Sequence, residues 1–404
     1  MGVNTVTSIP VAQRLDGFDY AIRNVVAEAH KLERSGRRVH YLNIGDPVLF
    51  GFETPPHLVV AVERAMRDGH NGYTPAAGIL AAREAVVGDY ASRGVDISAD
   101  RVVLTSGTSE GIDLALSVLV DRDDEVLVPV PTYPFYTAAL TKLGARAVFY
   151  PTDPARGWEP DLDRLRDLVS TRTRALVVID PNNPTGAVYA DETRSALIDI
   201  AERGNFALLS DEVYTDLAYA GPVSPMGALD PEAPIISFSS ASKAYMAPGW
   251  RTGWMAVGKT ERLDAVLGAI KELADGRLCT NGPMQHAVAP ALTGDRSHQD
   301  RFRRQLKERA ELMSRRLNGI DGISCVPPAA AFYAMPKIDL PPGRTDEEFV
   351  LGLLHATGIL CVYGSGFGTD PADGFFRIVF LASPAELDSY CDAIETFTAS
   401  FLAS

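Results

Sequence analysis

The chain predicts an α/β fold in two domains: a large domain built on a mostly parallel sheet of seven strands, and a smaller α+β domain. From about residue 100, short apolar runs alternate with helical stretches, which is how strands buried on both faces of a parallel sheet read. After about residue 290 the texture changes, and a long charged helix leads into a few short strands. A chain of 404 residues, 46% of them hydrophobic, also exceeds what one compact domain usually holds. The expected division is an N-terminal arm and helix over 1–50 joined to the small domain, a large domain over 51–290 and a small C-terminal domain over 291–404.

In chain order, Leu15, Phe18, Ile22, Val25, Ala29 and Leu32 recur at helical spacing before Ser35 and Gly36 stop the run, which predicts an amphipathic helix. A helix this short is marginal without a partner surface, hence its assignment to the small domain. Apolar runs predict strands over 101–105, 125–128, 146–150, 175–179, 206–209, 235–238 and 253–257. Helical stretches such as 162–168 and 193–203 would cover the two faces of their sheet. A charged helix over 301–317 and short strands near 323–326, 331–335 and 376–380 make up the second domain. Residues 3–10 read as a linker and 340–344 as a loop, and no internal repeat or low-complexity tract interrupts the pattern.

Composition narrows the function. A formal charge of −14 argues against a nucleic-acid binder, whose affinity rests on clustered Lys and Arg. Cys279, Cys325, Cys361 and Cys391 lie far apart without CxxC spacing and read as reduced thiols. Residues 1–10 lack the pattern of a signal peptide, and no stretch approaches the ~20 apolar residues that span a bilayer. A cytoplasmic location, with no membrane partner, is the expectation. The seven histidines form no HExxH or similar pair, so no dedicated zinc site is expected.

The chemistry-bearing residues sit where strands end, which is where α/β ligand sites form. SSASK at 239–243 follows the run at 235–238 and places Lys243 there. Alone it could be a solvated surface charge. Ser240 and Ser242 flank it, and Arg251 follows eight residues on, so hydroxyl and guanidinium donors suited to a phosphate surround an amine. An amine beside a phosphate clamp suggests pyridoxal 5′-phosphate. That cofactor needs a lysine to form a Schiff base and, once freed, to move a proton between the substrate α-carbon and C4′.

Asp211 opens DEVY just after the run at 206–209. A buried carboxylate there needs a cationic partner, and a protonated pyridine nitrogen would serve; an ordinary helix N-cap is the other reading. Tyr214 falls on the same side if a helical turn follows. DPNNPTG at 180–186 also follows a strand. It is either a tight turn or the support that aims the Asn183 amide, with Tyr214, at the cofactor's phenolic oxygen. TSGTSEG at 105–111 links a strand to a helix starting near Glu110, so the Gly107 and Thr108 amides can face an anion, although such turns are common. GSGFG at 364–368 lacks GxGxxG spacing and reads as a flexible loop.

Read together and in this order, these stretches resemble the class I/II aminotransferases of fold type I over nearly the whole chain. LNIGDP at 42–47, the FGFETP that follows, PNNPTGAVY, RLCTNGPMQHA at 277–287 and AAFYAMPKID look most like microbial alanine aminotransferases. The resemblance implies that Lys243 is the Schiff-base lysine, that Asp211 pairs the pyridine nitrogen, and that Asn183 and Tyr214 hold the phenolic oxygen. Tyr133 in PTYPFY would stack on the cofactor ring. Ser240, Ser242, Arg251 and the Gly107 and Thr108 amides would bind its phosphate. Arg377 in FFRIVF matches the arginine that grips the substrate α-carboxylate, with Asn183 assisting, and Gly45 matches the small residue that lets a substrate approach. Tyr73 in GYTPAAG matches a tyrosine contributed to the neighbouring subunit's phosphate, so a homodimer with composite sites is implied.

Aspartate-preferring relatives often carry a lysine where Ser109 stands, which favours a small or apolar, alanine-like amino donor with a 2-oxo acid such as pyruvate or 2-oxoglutarate as acceptor. The same lysine, aspartate and arginine also serve lyases, synthases and oxidases of this fold. A non-enzymatic regulator that senses the cofactor is the remaining alternative, and it would need a DNA-binding segment that this acidic chain does not offer.

Overall fold

A computed structural model describes residues 9–15 and 21–403. All seven expected runs form strands of one sheet, joined by an eighth strand of two residues. In chain order they are β1 (Val102–Thr105), β2 (Glu125–Val130), β3 (Arg146–Asp153), β4 (Glu159–Pro160), β5 (Thr173–Ile179), β6 (Ala207–Asp211), β7 (Ile235–Ser240) and β8 (Gly253–Val257). Their spatial order is β1-β8-β7-β6-β5-β2-β3-β4. Neighbouring strands from β7 through β6, β5 and β2 to β3 are all parallel, β8 is antiparallel to both β1 and β7, and β4 turns back on β3. The added strand escaped the sequence because two residues carry no apolar run, and its proline is tolerated only at an edge.

The middle of the sheet is buried on both faces, so its strands show no polar alternation. Val103, Val128, Leu209, Ile236 and Phe238 face Ile112, Leu116, Tyr136 and Ile270 in one core; the alternate residues Val102, Leu104, Leu176, Val178 and Leu208 enter the other. β6 and β7 extend past their apolar runs into Ser210-Asp211 and Ser239-Ser240. That overshoot carries polar side chains to the carboxyl edge of the sheet. Helices Leu162–Leu168 and Asp191–Gly204 form where expected.

The N-terminal amphipathic helix runs over Ala21–Arg34 and buries Val25 and Ala29. Leu15 instead sits exposed in a separate turn, Gln13–Leu15, and Phe18 lies outside the described residues, as does most of the 3–10 linker. The helix packs against helix Asp346–Thr357 and strand Val362–Tyr363, while His40–Tyr41 pairs in parallel with Ile359–Leu360. Beyond the large sheet, the charged helix spans Ser297–Leu317 and packs along Pro384–Leu402, whose start is fixed by a Ser383/Glu386 capping box. Tyr333–Ala334, Phe376–Val379 and Val362–Tyr363 form a small antiparallel sheet. The stretch at 340–344 carries neither helix nor strand. GSGFG departs from the expected flexible loop: Gly364–Phe367 is a turn with Phe367 buried, and Asp346 accepts from the Ser365 amide at 2.6 Å. Among the described residues no helix is long and apolar enough to cross a membrane, and no His/Cys/Asp/Glu group could hold a metal. All four cysteines are free thiols.

Candidate active site

The carboxyl ends of β5, β6 and β7 open into a cavity of about 510 Å³. Its wall combines the segment Asn43, Ile44, Gly45 and Asp46, the start of helix Thr108–Leu119, Tyr133, and Arg377 from strand Phe376–Val379. Parallel strands end together, so residues far apart in the chain meet at one edge. Lys243, Asp211, Tyr214, Asn183, Tyr133, Thr108, Ser240, Ser242, Arg251, Gly45 and Arg377 all line this cavity. Gly107, next in sequence to Thr108, is not among the lining residues. Tyr73 is not among the lining residues and is 85% exposed.

Lys243 follows β7 by three residues, and its Nζ donates to the carbonyl oxygen of Gly45 at 2.7 Å. Burial brings its pKa down to about 8; Asp46 opposes the shift, and Arg377 and Arg251 add to it. The amine is therefore partly neutral near physiological pH, as a nucleophile must be.

Asp211 ends β6, and burial raises its pKa from 3.8 to about 7. Its oxygens take only long bonds, from Tyr136 Oη at 3.3 Å and the Val213 amide at 3.4 Å. These favour the ionised form without offsetting the desolvation, which is the condition of a carboxylate awaiting a cation.

Arg377 is buried between two aromatic rings, its guanidinium carbon 4.8 Å from the centroids of both Tyr333 and Phe367. Nη1 donates to Asn183 Oδ1 at 3.0 Å and Nη2 to the Asn43 carbonyl at 2.5 Å. The packing locks the fork's plane, and a planar fork suits a carboxylate. Tyr214 shares a hydrogen bond of 2.9 Å between hydroxyls with Tyr333, and both rings are buried.

At the opposite end, Gly107 caps helix Thr108–Leu119 with φ +79°. A Cβ there would fall 2.2 Å from Arg251 Nη2, so only glycine allows the guanidinium to lie against the helix start. Arg251, itself at φ +54°, is held by the carbonyls of Pro248 and Ser106 at 2.9 and 3.1 Å. Thr108 Oγ1 is buried with no hydrogen-bond partner among the described residues. Ser240 Oγ accepts from the Ser242 amide at 3.3 Å beside it. Helix amides, a guanidinium and hydroxyls thus converge as an anion cradle.

Residues 38–394 match the family model for aminotransferase class I and II. The chain belongs to this family. Among curated relatives, the glutamate-pyruvate aminotransferase AlaA of Haemophilus influenzae is 37% identical, with 97% of this chain and 98% of the relative aligned. The alanine aminotransferase of Mycobacterium tuberculosis is 38% identical, over 96% and 92% respectively. Among solved structures, an alanine aminotransferase from Pyrococcus furiosus superposes with a TM-score of 0.94 at 40% identity, covering 97% of this chain and all of that one. The protein is accordingly an aminotransferase, with small-molecule substrates and the fold type I architecture.

Sequence reasoning overlooked several residues that shape this aminotransferase's cavity. Tyr333, Asn43, Ile44 and Val26 line it directly, whereas Tyr136 and Phe367 act through Asp211 and Arg377. Tyr136 stands in the first turn of the helix Pro134–Leu143 that Tyr133 caps, a closeness that could have drawn attention to it. Tyr333 lies inside AAFYAMPKID but carried no chemical signal of its own. A Cβ at Gly45 would fall 2.2 Å from Tyr333 Oη, so that glycine also makes room for a side chain of the protein itself.

Proposed function

We propose that this aminotransferase uses pyridoxal 5′-phosphate to move an amino group between a small or apolar L-amino acid, alanine-like, and a 2-oxo acid such as pyruvate or 2-oxoglutarate. The observation that carries this reading is the convergence of Lys243, Asp211 and Arg377 on one cavity.

The residues fit the cofactor. Asp211 is a buried carboxylate lacking a strong partner, as a protonated ring nitrogen would supply. Thr108 has an orphaned hydroxyl at the start of a helix, beside Arg251, where a phosphate would complete it. The Thr108 amide, Ser240, Ser242 and Arg251 would hold that phosphate, whereas the expected Gly107 amide already donates to the Thr105 carbonyl at 2.8 Å; Tyr133 would cover the ring, and Asn183 and Tyr214 would donate to its phenolic oxygen. Bound there, pyridoxal 5′-phosphate supplies an aldehyde for amine exchange and a charged ring that accepts the electrons of the breaking Cα–H bond.

The chain's own groups do the rest. Arg377 receives the substrate α-carboxylate, with Asn183 fixing the fork's plane. Lys243 Nζ, once released, would take the proton from the substrate α-carbon and return it at C4′; its depressed pKa leaves part of the amine neutral for that task. Water enters to release the 2-oxo acid, and a second 2-oxo acid reverses the sequence, which gives ping-pong kinetics.

Two observations support the alanine-like preference: Ser109 lines the cavity without a positive charge to neutralise a side-chain carboxylate, and the lining includes the largely apolar side chains of Ile44, Val26 and Tyr333. The names of the relatives agree. The reading includes a cytoplasmic homodimer in which Tyr73 reaches the partner's phosphate. Exposed Tyr73, Val59, Val60, Met66, Leu80 and Leu278 support it as apolar surface that a second copy would cover.

A half-reaction screen tests the reading. Each amino acid is mixed with loaded protein while the cofactor's absorbance is followed. Alanine should convert the band to that of pyridoxamine phosphate stoichiometrically. Ammonia release or oxygen consumption in place of that conversion would identify a lyase or an oxidase and refute transamination.

A further inference from the structure

We propose that Tyr333 is a positioning residue for the cofactor's phenolic oxygen, acting through Tyr214 and tying that oxygen to the substrate-binding Arg377. The inference rests on the proposed cofactor site.

Tyr333 and Tyr214 share the 2.9 Å hydroxyl contact, and either could donate. Their rings meet nearly edge-on, at 84° with centroids 5.6 Å apart, which holds the two oxygens together. A phenol has one proton to give. If Tyr214 gives its proton to the cofactor oxygen, it must accept from Tyr333, and the pair becomes a chain with a fixed direction. Each bond in such a chain polarises the next, so the Tyr333 hydroxyl strengthens the donation made by Tyr214.

The other face of Tyr333 supports Arg377, whose guanidinium carbon lies 4.8 Å from the ring centroid. A cation over a phenol ring makes its hydroxyl a better donor by withdrawing electron density. The Tyr333 hydroxyl also occupies the space over Gly45 that a Cβ would need, 2.2 Å from where that atom would stand, so it sits against the glycine backbone. One side chain thus touches the carboxylate fork, the phenolic clamp and the Gly45 segment whose carbonyl holds Lys243.

The test is a pH titration of the loaded protein's absorbance, which reads the proton shared between the Lys243 linkage nitrogen and the phenolic oxygen. Donors to the oxygen favour loss of that proton. Tyr333→Phe removes one oxygen and leaves the ring under Arg377, so the titration midpoint should rise by about half a pH unit. Tyr214→Phe should raise it further, and adding Tyr333→Phe to that variant should then change nothing. A midpoint unchanged by Tyr333→Phe, or a shift of equal size in both backgrounds, would overturn the proposal. A parent protein that takes up no cofactor and develops no absorbance band would instead sink the cofactor reading, and the two failures are told apart by that control.

Discussion

Replacing Asp211 by Asn separates what the carboxylate costs the cofactor-free protein from what it gives the loaded one. Burial lifts its pKa from 3.8 to about 7. Between those values the native state holds a proton that the unfolded chain has released, so stability falls as pH rises through the window. Above about pH 7 the cost is complete. A rise of about 3 units, at about 1.36 kcal/mol each, sets its upper figure at about 4 kcal/mol. Asparagine keeps the shape and has nothing to ionise. An unfolding entropy of about 2.1 cal/mol/K per residue gives roughly 0.85 kcal/mol/K for this chain, so the gain corresponds to at most about 5 °C in Tm. In calorimetry of cofactor-stripped protein at about pH 8, Asp211→Asn should therefore melt up to that much higher than its parent, and the gap should close by about pH 4. Adding pyridoxal phosphate should reverse the order at the higher pH, because only a carboxylate gains from a cationic partner. Equal melting temperatures at both pH values, or a stripped variant that melts lower at about pH 8, would refute the reasoning.

Arg377→Lys should raise KM for both amino acid and 2-oxo acid by about 10- to 100-fold, the equivalent of losing roughly 1.5–3 kcal/mol of charge-assisted bonding, and steady-state kinetics that leave both constants unchanged would contradict its role. Because Lys243 titrates near 8, the rate of cofactor attachment in stopped-flow absorbance should climb about tenfold per pH unit below that value and level off above it, while Lys243→Ala should show neither attachment nor turnover. Arg194 Nε lies 3.2 Å from the buried Asp180 carboxylate, whose pKa is already raised to about 7, chiefly by burial. Arg194→Met should cost up to about 3–5 kcal/mol at pH above 7, where Asp180 is ionised in the parent protein, and less at pH 5, where it is protonated with or without the arginine; denaturant midpoints that fall equally at both would count against this.

The large sheet was legible because its strands are buried on both faces and so write unbroken apolar runs, as at 175–179 and 235–238. β4 left no such trace, since Glu159 and Pro160 pair only with the end of β3. The site was legible where a residue's chemistry is tied to a strand end: Lys243, Asp211 and Asn183 each follow a run within a few residues. Arg377 was readable through its apolar flanks. Tyr333 was not, because its partner Tyr214 lies 119 residues away and nothing local distinguishes it from an ordinary core tyrosine. Phe367 was hidden for the opposite reason: a glycine-rich local sequence suggested mobility, while its ring was committed to Arg377. The role proposed for Tyr73 would depend on a second copy of the chain, and the exposed tyrosine lies outside the cavity lining.

The short segment from Asn43 to Gly45 bonds to two charged groups of the candidate site. One of its carbonyls receives Arg377 and another, two residues on, receives Lys243. Two residues of extended chain span at most about 7 Å, and covalent geometry allows little stretch. The segment therefore acts as a tether, limiting how far the Lys243 amine and the Arg377 guanidinium can stand apart while both bonds hold.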